Sequence, residues 1–272
     1  MADQAGAGGA WPLRQLRLFF IALQFFTRLP VPNWIGFREE WLQPSARFFP
    51  LTGVLVGVFA ALVAWIAGWM LPAPLAVLLS LVASIWLTGA LHEDGFADVC
   101  DGFGGGREPA RVLAIMKDSR IGVYGAVGIG LLLASKCVAL ATLPRGLLPL
   151  ALLAAHPFSR ALAAALMWRA DYVRAEGKSA AMARGMSTGE FVFAAISGLL
   201  PLVAMIVAAL LDWRQALAGI VIAALCAIYL TRLFLRRIGG YTGDCLGAIQ
   251  QLTETGFYLG MVSYAFCMRQ AY

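Results

Sequence analysis

One short stretch of the chain concentrates acidic side chains. Five of the fifteen Asp and Glu residues fall between Glu93 and Glu108. If this stretch is helical, Asp94, Asp98 and Asp101 are spaced i, i+4 and i+7 and therefore share one face. Three carboxylates on one face repel one another, so a cation is needed to offset their charge. Oxygen ligands without cysteine or paired histidine favour Mg²⁺ or Mn²⁺, and the spacing predicts a divalent metal site.

A second interpretation of the acids needs no metal. They would form a solvated helix end, paired with the cations that follow them, Arg107, Arg111, Lys117 and Arg120. Against this, acids crowded at the level of a membrane are costly and usually functional. Gly95 and Gly102 each directly follow an aspartate and leave room for a phosphate or for a closely packed backbone. We therefore favour the metal site.

A basic segment follows the acids at the start of the next apolar run. Lys117 and Arg120 are suited to phosphate oxygens. Ser119 is either a further polar contact or the N-cap of a helix. Asp118 is either a further metal ligand or the partner of Arg120. Beside the acids, this segment predicts the basic wall of a phosphate site.

Other polar residues interrupt or border the apolar runs. An arginine in the middle of an apolar run, as at Arg160, is expected to face a bundle interior or a wet cavity. Lys136 and His156 also interrupt such runs, and a lone histidine there is more often a packing residue. Thr242 and Asp244 supply a hydroxyl and a carboxylate that would close over the site, although a glycine turn between two helices explains the same pattern.

The elements that position these residues are predicted to be membrane helices. The 272 residues are 61% hydrophobic and 13% charged, with about half the charge of an ordinary soluble domain. Apolar runs approach the roughly 20 residues that a crossing helix needs. Residues 13–29 mix arginines with a shorter apolar run, which is typical of an interfacial helix. The predicted spans are residues 48–71, 74–91, 121–143, 147–168, 191–211, 215–235 and 254–270.

The predicted fold is an all-α polytopic membrane bundle of about seven transmembrane helices plus the N-terminal interfacial helix. Residues 1–12 are predicted to be a disordered N-terminus without signal-peptide features, and residues 13–272 a single integral membrane catalytic domain. The five scattered cysteines support neither a disulfide framework nor a thiolate metal site. The net charge of +6 is spread among short loops without an aromatic-interleaved patch, so no nucleic-acid partner is expected.

The distribution of basic residues predicts the orientation in the membrane. Cytosolic loops carry an excess of Lys and Arg. With the N-terminus inside, the opposite loops hold only Arg145 and Arg214. Sixteen of the 21 Lys and Arg residues then share the inner side, in residues 1–47, 92–120, 169–190 and 232–246. The N-terminus and the acidic stretch are therefore expected in the cytosol.

Several of these motifs together resemble the cobalamin synthase family, also called adenosylcobinamide-GDP ribazoletransferase, over nearly the whole chain. The central pair of motifs is specific and the others support it. The motifs are Phe26-Thr27-Arg28-Leu29-Pro30-Val31-Pro32, Phe48-Phe49-Pro50-Leu51 with Gly53, His92-x-Asp94-Gly95-x-x-Asp98-x-x-Asp101-Gly102, Met116-Lys117-Asp118-Ser119-Arg120-x-Gly122, Ser159-Arg160 and Gly240-x-Thr242-Gly243-Asp244-x-Leu246-Gly247-Ala248.

The resemblance implies a Mg²⁺-dependent, multi-pass enzyme of the bacterial cytoplasmic (inner) membrane. A hydroxyl of α-ribazole, or of its 5′-phosphate, attacks the phosphate linked to adenosylcobinamide in adenosylcobinamide-GDP and expels GMP. The product is adenosylcobalamin or its 5′-phosphate, in the late nucleotide-loop assembly step of cobalamin biosynthesis. The expected partners are these two substrates, the lipid bilayer and further copies of the chain in a homo-oligomer.

With this chemistry, each candidate residue receives a predicted role. His92, Asp98 and Asp101 are predicted to be catalytic, with His92 or an unliganded carboxylate as the general base. The predicted metal ligands are Asp94, Asp98, Asp101 and Asp118. The predicted substrate and phosphate contacts are Lys117, Ser119, Arg120, Arg160, Thr242 and Asp244.

Two other classes of membrane protein stay open. Asp98-x-x-Asp101-Gly102 faintly resembles the opening of the CDP-alcohol phosphotransferase motif, but Phe103-Gly104 stands where that motif continues with Ala-Arg. A lipid synthase of that kind is therefore the first alternative. A membrane transporter is the second, and it is weakened because the chain has no convincing internal repeat.

Overall fold

The computed structural model describes residues 11–174 and 185–270. Within these ranges the regular structure is helical, and an isolated bridge pairs Tyr172 with Tyr241. The all-α prediction is thus confirmed. The α-helices are α1 (Trp11–Phe26), α2 (Leu42–Ser45), α3 (Phe49–Met70), α4 (Ala73–Thr88), α5 (Leu91–Gly105), α6 (Pro109–Ile115), α7 (Val123–Thr142), α8 (Leu147–Arg169), α9 (Thr188–Val207), α10 (Trp213–Ile238) and α11 (Gly243–Gln270).

Some predictions fall outside the described residues. The disorder predicted for residues 1–12 concerns mainly the first ten, which lie outside them, whereas Trp11 and Pro12 begin α1. Lys178 and Arg184, two of the cations assigned to the inner side, also lie outside. The predicted interfacial helix is present as α1, which buries Leu18 and other apolar residues and packs against α3.

By length and composition, five helical segments of the described chain are suited to crossing a membrane. They are Glu39–Met70, Val123–Thr142, Leu147–Arg169, Thr188–Val207 and Trp213–Ile238. The multi-pass bundle is therefore confirmed, but the count of seven is not. The predicted crossing at 254–270 belongs to α11, which is long enough to cross but carries Gln250, Gln251 and Glu254 and does not pass the same test.

The predicted second span ends in a sharp turn. Helices α4 and α5 are suited to crossing only when taken as a pair, which would be a sixth span, and they are bent by 91° relative to each other. Gly89 and Ala90 at the turn both have left-handed backbone, with φ of 67° and 60°. Helix α5 by itself has 15 residues, carries four acidic side chains and is not among the five crossing segments, so we place it outside the membrane-spanning helices.

Helices α8 and α11 form the centre of the bundle. In α8, 78% of the most apolar stretch is buried, against 22% to 33% in the other four candidate spans. Helix α11 packs against α5, α7, α8 and α10. Arg160 of α8 is consequently 1% exposed, which confirms the prediction that it faces the bundle interior.

Hydrogen bonds and an ion pair connect the segments predicted to share the inner side. They join Gln43 Nε2 to the Gly185 carbonyl (2.9 Å), Arg237 Nη2 to the Gly106 carbonyl (2.6 Å) and Arg174 Nη1 to Asp244 Oδ2 (2.8 Å). Contacts between segments so distant in sequence require that their ends lie together. The acidic helix α5 is therefore at the same end of the bundle as these segments.

Candidate active site

Two glycines bring α5 against the start of α11. A Cβ atom on Gly95 would lie 2.9 Å from the Cα of Asp244, and one on Gly247 would lie 3.0 Å from the carbonyl oxygen of His92. Real Cβ atoms essentially never come as close to backbone as the first distance, so Gly95 requires glycine, and at Gly247 a side chain would force the backbone of His92 to shift. Of the two roles predicted for Gly95, room for a phosphate or for a backbone, the structure contains the second.

Replacing Gly95 by Ala should therefore push α5 away from α11. We expect a loss of about 1–3 kcal/mol in stability, the usual cost of overpacking, measured as a lower midpoint of thermal unfolding in detergent. The matched control is Gly130→Ala in α7, because a Cβ there meets nothing within 4 Å. That control should keep or gain stability, since alanine favours helix. Equal midpoints for the two variants would refute the close crossing.

The crossing gathers three carboxylates, Asp94, Asp98 and Asp244, which we call the acid cluster. Asp94 is exposed, Asp98 is half-buried, and Asp244 lies in the first turn of α11. Burial, and then the negative charges of Asp244 and Asp94, raise the pKa of Asp98 to about 7. Burial also raises the pKa of Asp244, while the charge of Arg174 opposes this. Such crowding is relieved by a cation.

The carboxylate oxygens of the acid cluster are suited to a hard divalent cation, but they are not arranged as a complete metal site. Carboxylate oxygens are the ligands that Mg²⁺ takes from proteins. In the described ranges, no group of three or more His, Cys, Asp or Glu side chains is placed to hold a metal ion. The metal assignment of Asp94 and Asp98 therefore stays a prediction.

Asp101 has structural partners that its spacing in the sequence does not predict. Its two carboxylate oxygens accept the backbone N–H groups of Gly122 (2.7 Å) and Gly125 (2.8 Å) at the start of α7. A Cβ on either glycine would lie within 2.4 Å of this carboxylate. Asp101 thus satisfies N–H groups that the helix itself leaves unpaired. Its predicted metal and catalytic roles would have to use the remaining lone pairs.

The basic segment lies in the connection between α6 and α7 and is exposed from Lys117 to Arg120. Arg120 forms an ion pair with Asp118 (2.7 Å), and hydrogen bonds from Arg120 lower the pKa of Asp118 to about 2. Of the two roles left open for Asp118, the structure contains the partnership with Arg120. No hydrogen bond or ion pair of the described chain joins Lys117, Ser119 or Arg120 to the acid cluster.

His92 lies at the base of a pocket beside the acid cluster. It is 3% exposed, and its ring centroid is 6.1 Å from that of Phe26 and 5.5 Å from that of Phe49. The pocket has an apolar wall that includes these phenylalanines, and Asp94 and Asp244 also line it. The Nε2 atom of His92 is buried and has no hydrogen-bond partner among the described residues, so one nitrogen of the imidazole is unpaired.

The turn before α11 joins Thr242 to the acid cluster. The fully buried Thr242 hydroxyl donates to Asp244 Oδ2 (3.3 Å) and accepts the N–H of Cys245 (3.4 Å). Asp244 Oδ2 is also 2.8 Å from Arg174 Nη1. The structure therefore places both residues predicted from this turn at the site, together with Arg174, which sequence reasoning missed.

Arg160 belongs to a buried polar network behind His92. Its Nη1 donates to the His156 carbonyl (2.9 Å), and its guanidinium lies over the Phe49 ring (5.6 Å). In the same network Lys136 Nζ is 2.8 Å from Glu254 Oε1. The predicted contact between Arg160 and phosphate stays a prediction, because the structure separates this residue from the exposed Lys117 and Arg120.

Glu93 and Glu254 are further residues of this network that sequence reasoning missed. Gln251 Nε2 donates to Glu93 Oε1 (2.8 Å) and thereby ties α11 to the acidic helix. A signal for Glu254 was present in the sequence. Lys136 and Glu254 are opposite charges in two apolar stretches, and charges at membrane depth are expected to pair.

Comparisons with known proteins identify a single enzyme family. The model of the cobalamin-5-phosphate synthase family matches residues 18–262. A relative from Leptothrix cholodnii is 45% identical over 256 residues, which cover 92% of this chain and 97% of the relative. Relatives from Shewanella frigidimarina and Ralstonia nicotianae are 42% and 44% identical, covering 91% and 88% of this chain and 94% and 92% of their own lengths. All three are named adenosylcobinamide-GDP ribazoletransferase. No solved structure matches the chain.

Proposed function

This chain belongs to the cobalamin-5-phosphate synthase family and is therefore a transferase, and we propose that it acts as an adenosylcobinamide-GDP ribazoletransferase. It would transfer the adenosylcobinamide phosphate group from adenosylcobinamide-GDP to α-ribazole, or to its 5′-phosphate. GMP leaves, and adenosylcobalamin or its 5′-phosphate forms. The family match over residues 18–262 carries this proposal, because it contains every candidate site residue from His92 to Asp244.

We propose Mg²⁺ as the cofactor, held by Asp94 and Asp98 with help from Asp101 or Asp244. The crowding that raises the pKa of Asp98 to about 7 supports this, since a bound cation would relieve it. Mg²⁺, when bound, would offset the charge on the transferred and leaving phosphates. Asp118 is the weakest of the four predicted ligands, because Arg120 already holds both of its oxygens.

The other candidate residues have separate proposed roles. His92 would take the proton of the attacking hydroxyl, supported by its unpartnered Nε2 and by its place in the pocket beside Asp94 and Asp244. Lys117, Ser119 and Arg120 would bind phosphate from the exposed α6–α7 connection. The buried Thr242 would orient Asp244 through its hydroxyl. The apolar wall at Phe26 and Phe49 would exclude water from the reacting groups.

We further propose that the acid cluster faces the cytosol at the bacterial cytoplasmic membrane. The support is the charge distribution, since the segments rich in Lys and Arg contact one another at the end of the bundle that holds α5. The expected homo-oligomer stays a prediction.

Turnover with and without divalent cation tests the proposed function. Purified protein supplied with adenosylcobinamide-GDP, α-ribazole and Mg²⁺ should release GMP. Removing the cation with EDTA should lower the rate by at least about 10²-fold, as expected when the main electrostatic stabilisation is lost, and added Mg²⁺ should restore it. The measurement is chromatographic detection of GMP and of the corrinoid product.

Two further arms of the same experiment separate the alternatives. A CDP-linked alcohol donor offered to the same preparation would be consumed by a lipid phosphotransferase and left intact by a ribazoletransferase. Sealed vesicles would reveal a transporter by solute flux without product formation. Consumption of the CDP-linked donor, with adenosylcobinamide-GDP untouched, would replace the proposed function by the first alternative.

A further inference from the structure

We propose that Arg174 is a phosphate-binding residue that contacts the diphosphate of the nucleotide donor at the edge of the acid cluster. This inference rests on the proposed function for the identity of the donor, and on the following contacts for the residue itself. Arg174 was not among the residues predicted from the sequence motifs. Its position becomes apparent only when the end of α8 and the start of α11 are brought together.

Backbone contacts hold the segment that carries Arg174. The N–H of Val173 donates to the Tyr241 carbonyl (3.0 Å), and the N–H of Tyr241 donates to the Asp171 carbonyl (3.0 Å). A Cβ on Gly240 would lie 2.2 Å from the carbonyl oxygen of Asp171. The two chain segments therefore approach each other more closely than any residue except glycine would allow. Arg174 is therefore positioned by the fold at the entrance to α11.

The guanidinium of Arg174 uses only part of its hydrogen-bonding capacity. Nη1 lies 2.8 Å from Asp244 Oδ2, and both side chains are 21% exposed. Nη2 is buried and has no partner within the described part of the chain. Buried donors are almost always satisfied in native proteins. Asp244, the partner of Arg174, lines the pocket beside His92, so a ligand bound against Asp244 would supply the missing acceptor.

Charge explains why that ligand is a phosphate. The acid cluster by itself would repel a diphosphate, and Arg174 is the cation that forms an ion pair with one of its members. Lys117 and Arg120 make no described contact with these acids. A guanidinium presents a planar fork of donors that matches phosphate oxygens. Nη1 of Arg174 contacts Asp244, and under our proposal the buried, unpaired Nη2 donates to the diphosphate when the nucleotide donor binds.

The test measures binding rather than turnover alone. Full-length protein in detergent is titrated with adenosylcobinamide-GDP, and separately with pyrophosphate, in the presence of Mg²⁺. Arg174→Gln should weaken both affinities at least tenfold, and Arg174→Lys should recover only part of the loss because it lacks the fork. Arg169→Gln is the matched control, since it removes an exposed arginine from the last turn of α8 and should bind like wild type.

A purely structural role for Arg174 predicts a different pattern. If Arg174 only offsets the charge of Asp244, then Arg174→Gln should change neither the thermal midpoint nor the affinity for pyrophosphate once it is made in an Asp244→Asn background. Under our proposal the double variant keeps the midpoint of Asp244→Asn but binds pyrophosphate more weakly than Asp244→Asn alone. Equal affinity of the double variant and Asp244→Asn, or unchanged affinity in Arg174→Gln, would overturn the inference.

The two ligands also separate this inference from the proposed function. If wild-type protein binds pyrophosphate in an Arg174-dependent manner but neither binds nor consumes adenosylcobinamide-GDP, the proposed function fails and the phosphate site stands. If wild type turns over adenosylcobinamide-GDP and Arg174→Gln binds it equally well, only the inference fails. Binding of neither ligand by wild type overturns both.

Discussion

Replacing Asp98 by Asn should lower the rate of GMP release from adenosylcobinamide-GDP by at least about 10²-fold. The substitution keeps the size of the side chain and removes its charge. Asp98 lies within the acid cluster, where burial and the charges of Asp244 and Asp94 raise its pKa to about 7. A carboxylate held at this electrostatic cost is the strongest candidate for a metal ligand. The rate is measured at saturating Mg²⁺ on protein purified from the membrane fraction.

The control for this variant is Glu108→Gln, which removes an exposed acid at the N-cap of α6. Its side chain makes no capping hydrogen bond, so both activity and thermal midpoint should stay near the wild-type values. Asp98→Asn should also keep its midpoint, because relieving the repulsion in the acid cluster does not break a contact. Turnover at the wild-type rate in Asp98→Asn, including at limiting Mg²⁺, would exclude the metal role of this residue.

Local sequence patterns were sufficient to predict several features of the fold and of this site. The i, i+4 and i+7 spacing of the acids required only that their stretch be helical, and α5 spans Leu91–Gly105. The burial of Arg160 followed from the cost of a charge in lipid. The clustering of the basic segments followed from loop composition alone. Each of these predictions depends on residues close in sequence or on average polarity.

The features that escaped prediction depend on residues distant in sequence. The bend between α4 and α5 separates the acidic helix from the span before it, and neither Gly89 nor Ala90 signals a turn of 91°. Asp101 had the spacing of a metal ligand, yet its oxygens are held by the N–H groups of Gly122 and Gly125. Such pairings are set by tertiary packing, which residue spacing does not determine.

Helix α11 illustrates the same limit and has a consequence for the site. From the sequence, residues 254–270 were predicted only as a seventh span, with no role in the site. In the structure the acidic helix packs against α11, and Gln250, Gln251 and Glu254 of α11 are buried within the bundle. Gln251 contacts Glu93 of α5, and Asp244 joins the acid cluster. The position of the site thus depends on how firmly α11 is held in the bundle.

Replacing Lys136 by Met should be strongly destabilising, because Lys136 forms a buried ion pair with Glu254 of α11. Lys136 Nζ and Glu254 Oε1 are 2.8 Å apart, and the two side chains are 3% and 2% exposed. Removing one partner of a buried ion pair leaves the other charge uncompensated and typically costs about 3–5 kcal/mol. We expect a large drop in the thermal midpoint in detergent. The control Arg145→Met removes an exposed cation from the opposite end and should change stability by less than about 0.5 kcal/mol.

The double variant Lys136→Met/Glu254→Met distinguishes an unpaired charge from a lost packing contact. If the cost of Lys136→Met arises from the stranded carboxylate, removing Glu254 as well should recover most of the midpoint, since apolar replacements of a buried pair are often neutral or stabilising. Gln250 and Tyr258, which also donate to Glu254, would lose an acceptor, so recovery should be incomplete. Equal midpoints in Lys136→Met and wild type would mean that the ion pair between Lys136 and Glu254 does not hold α11 in the bundle.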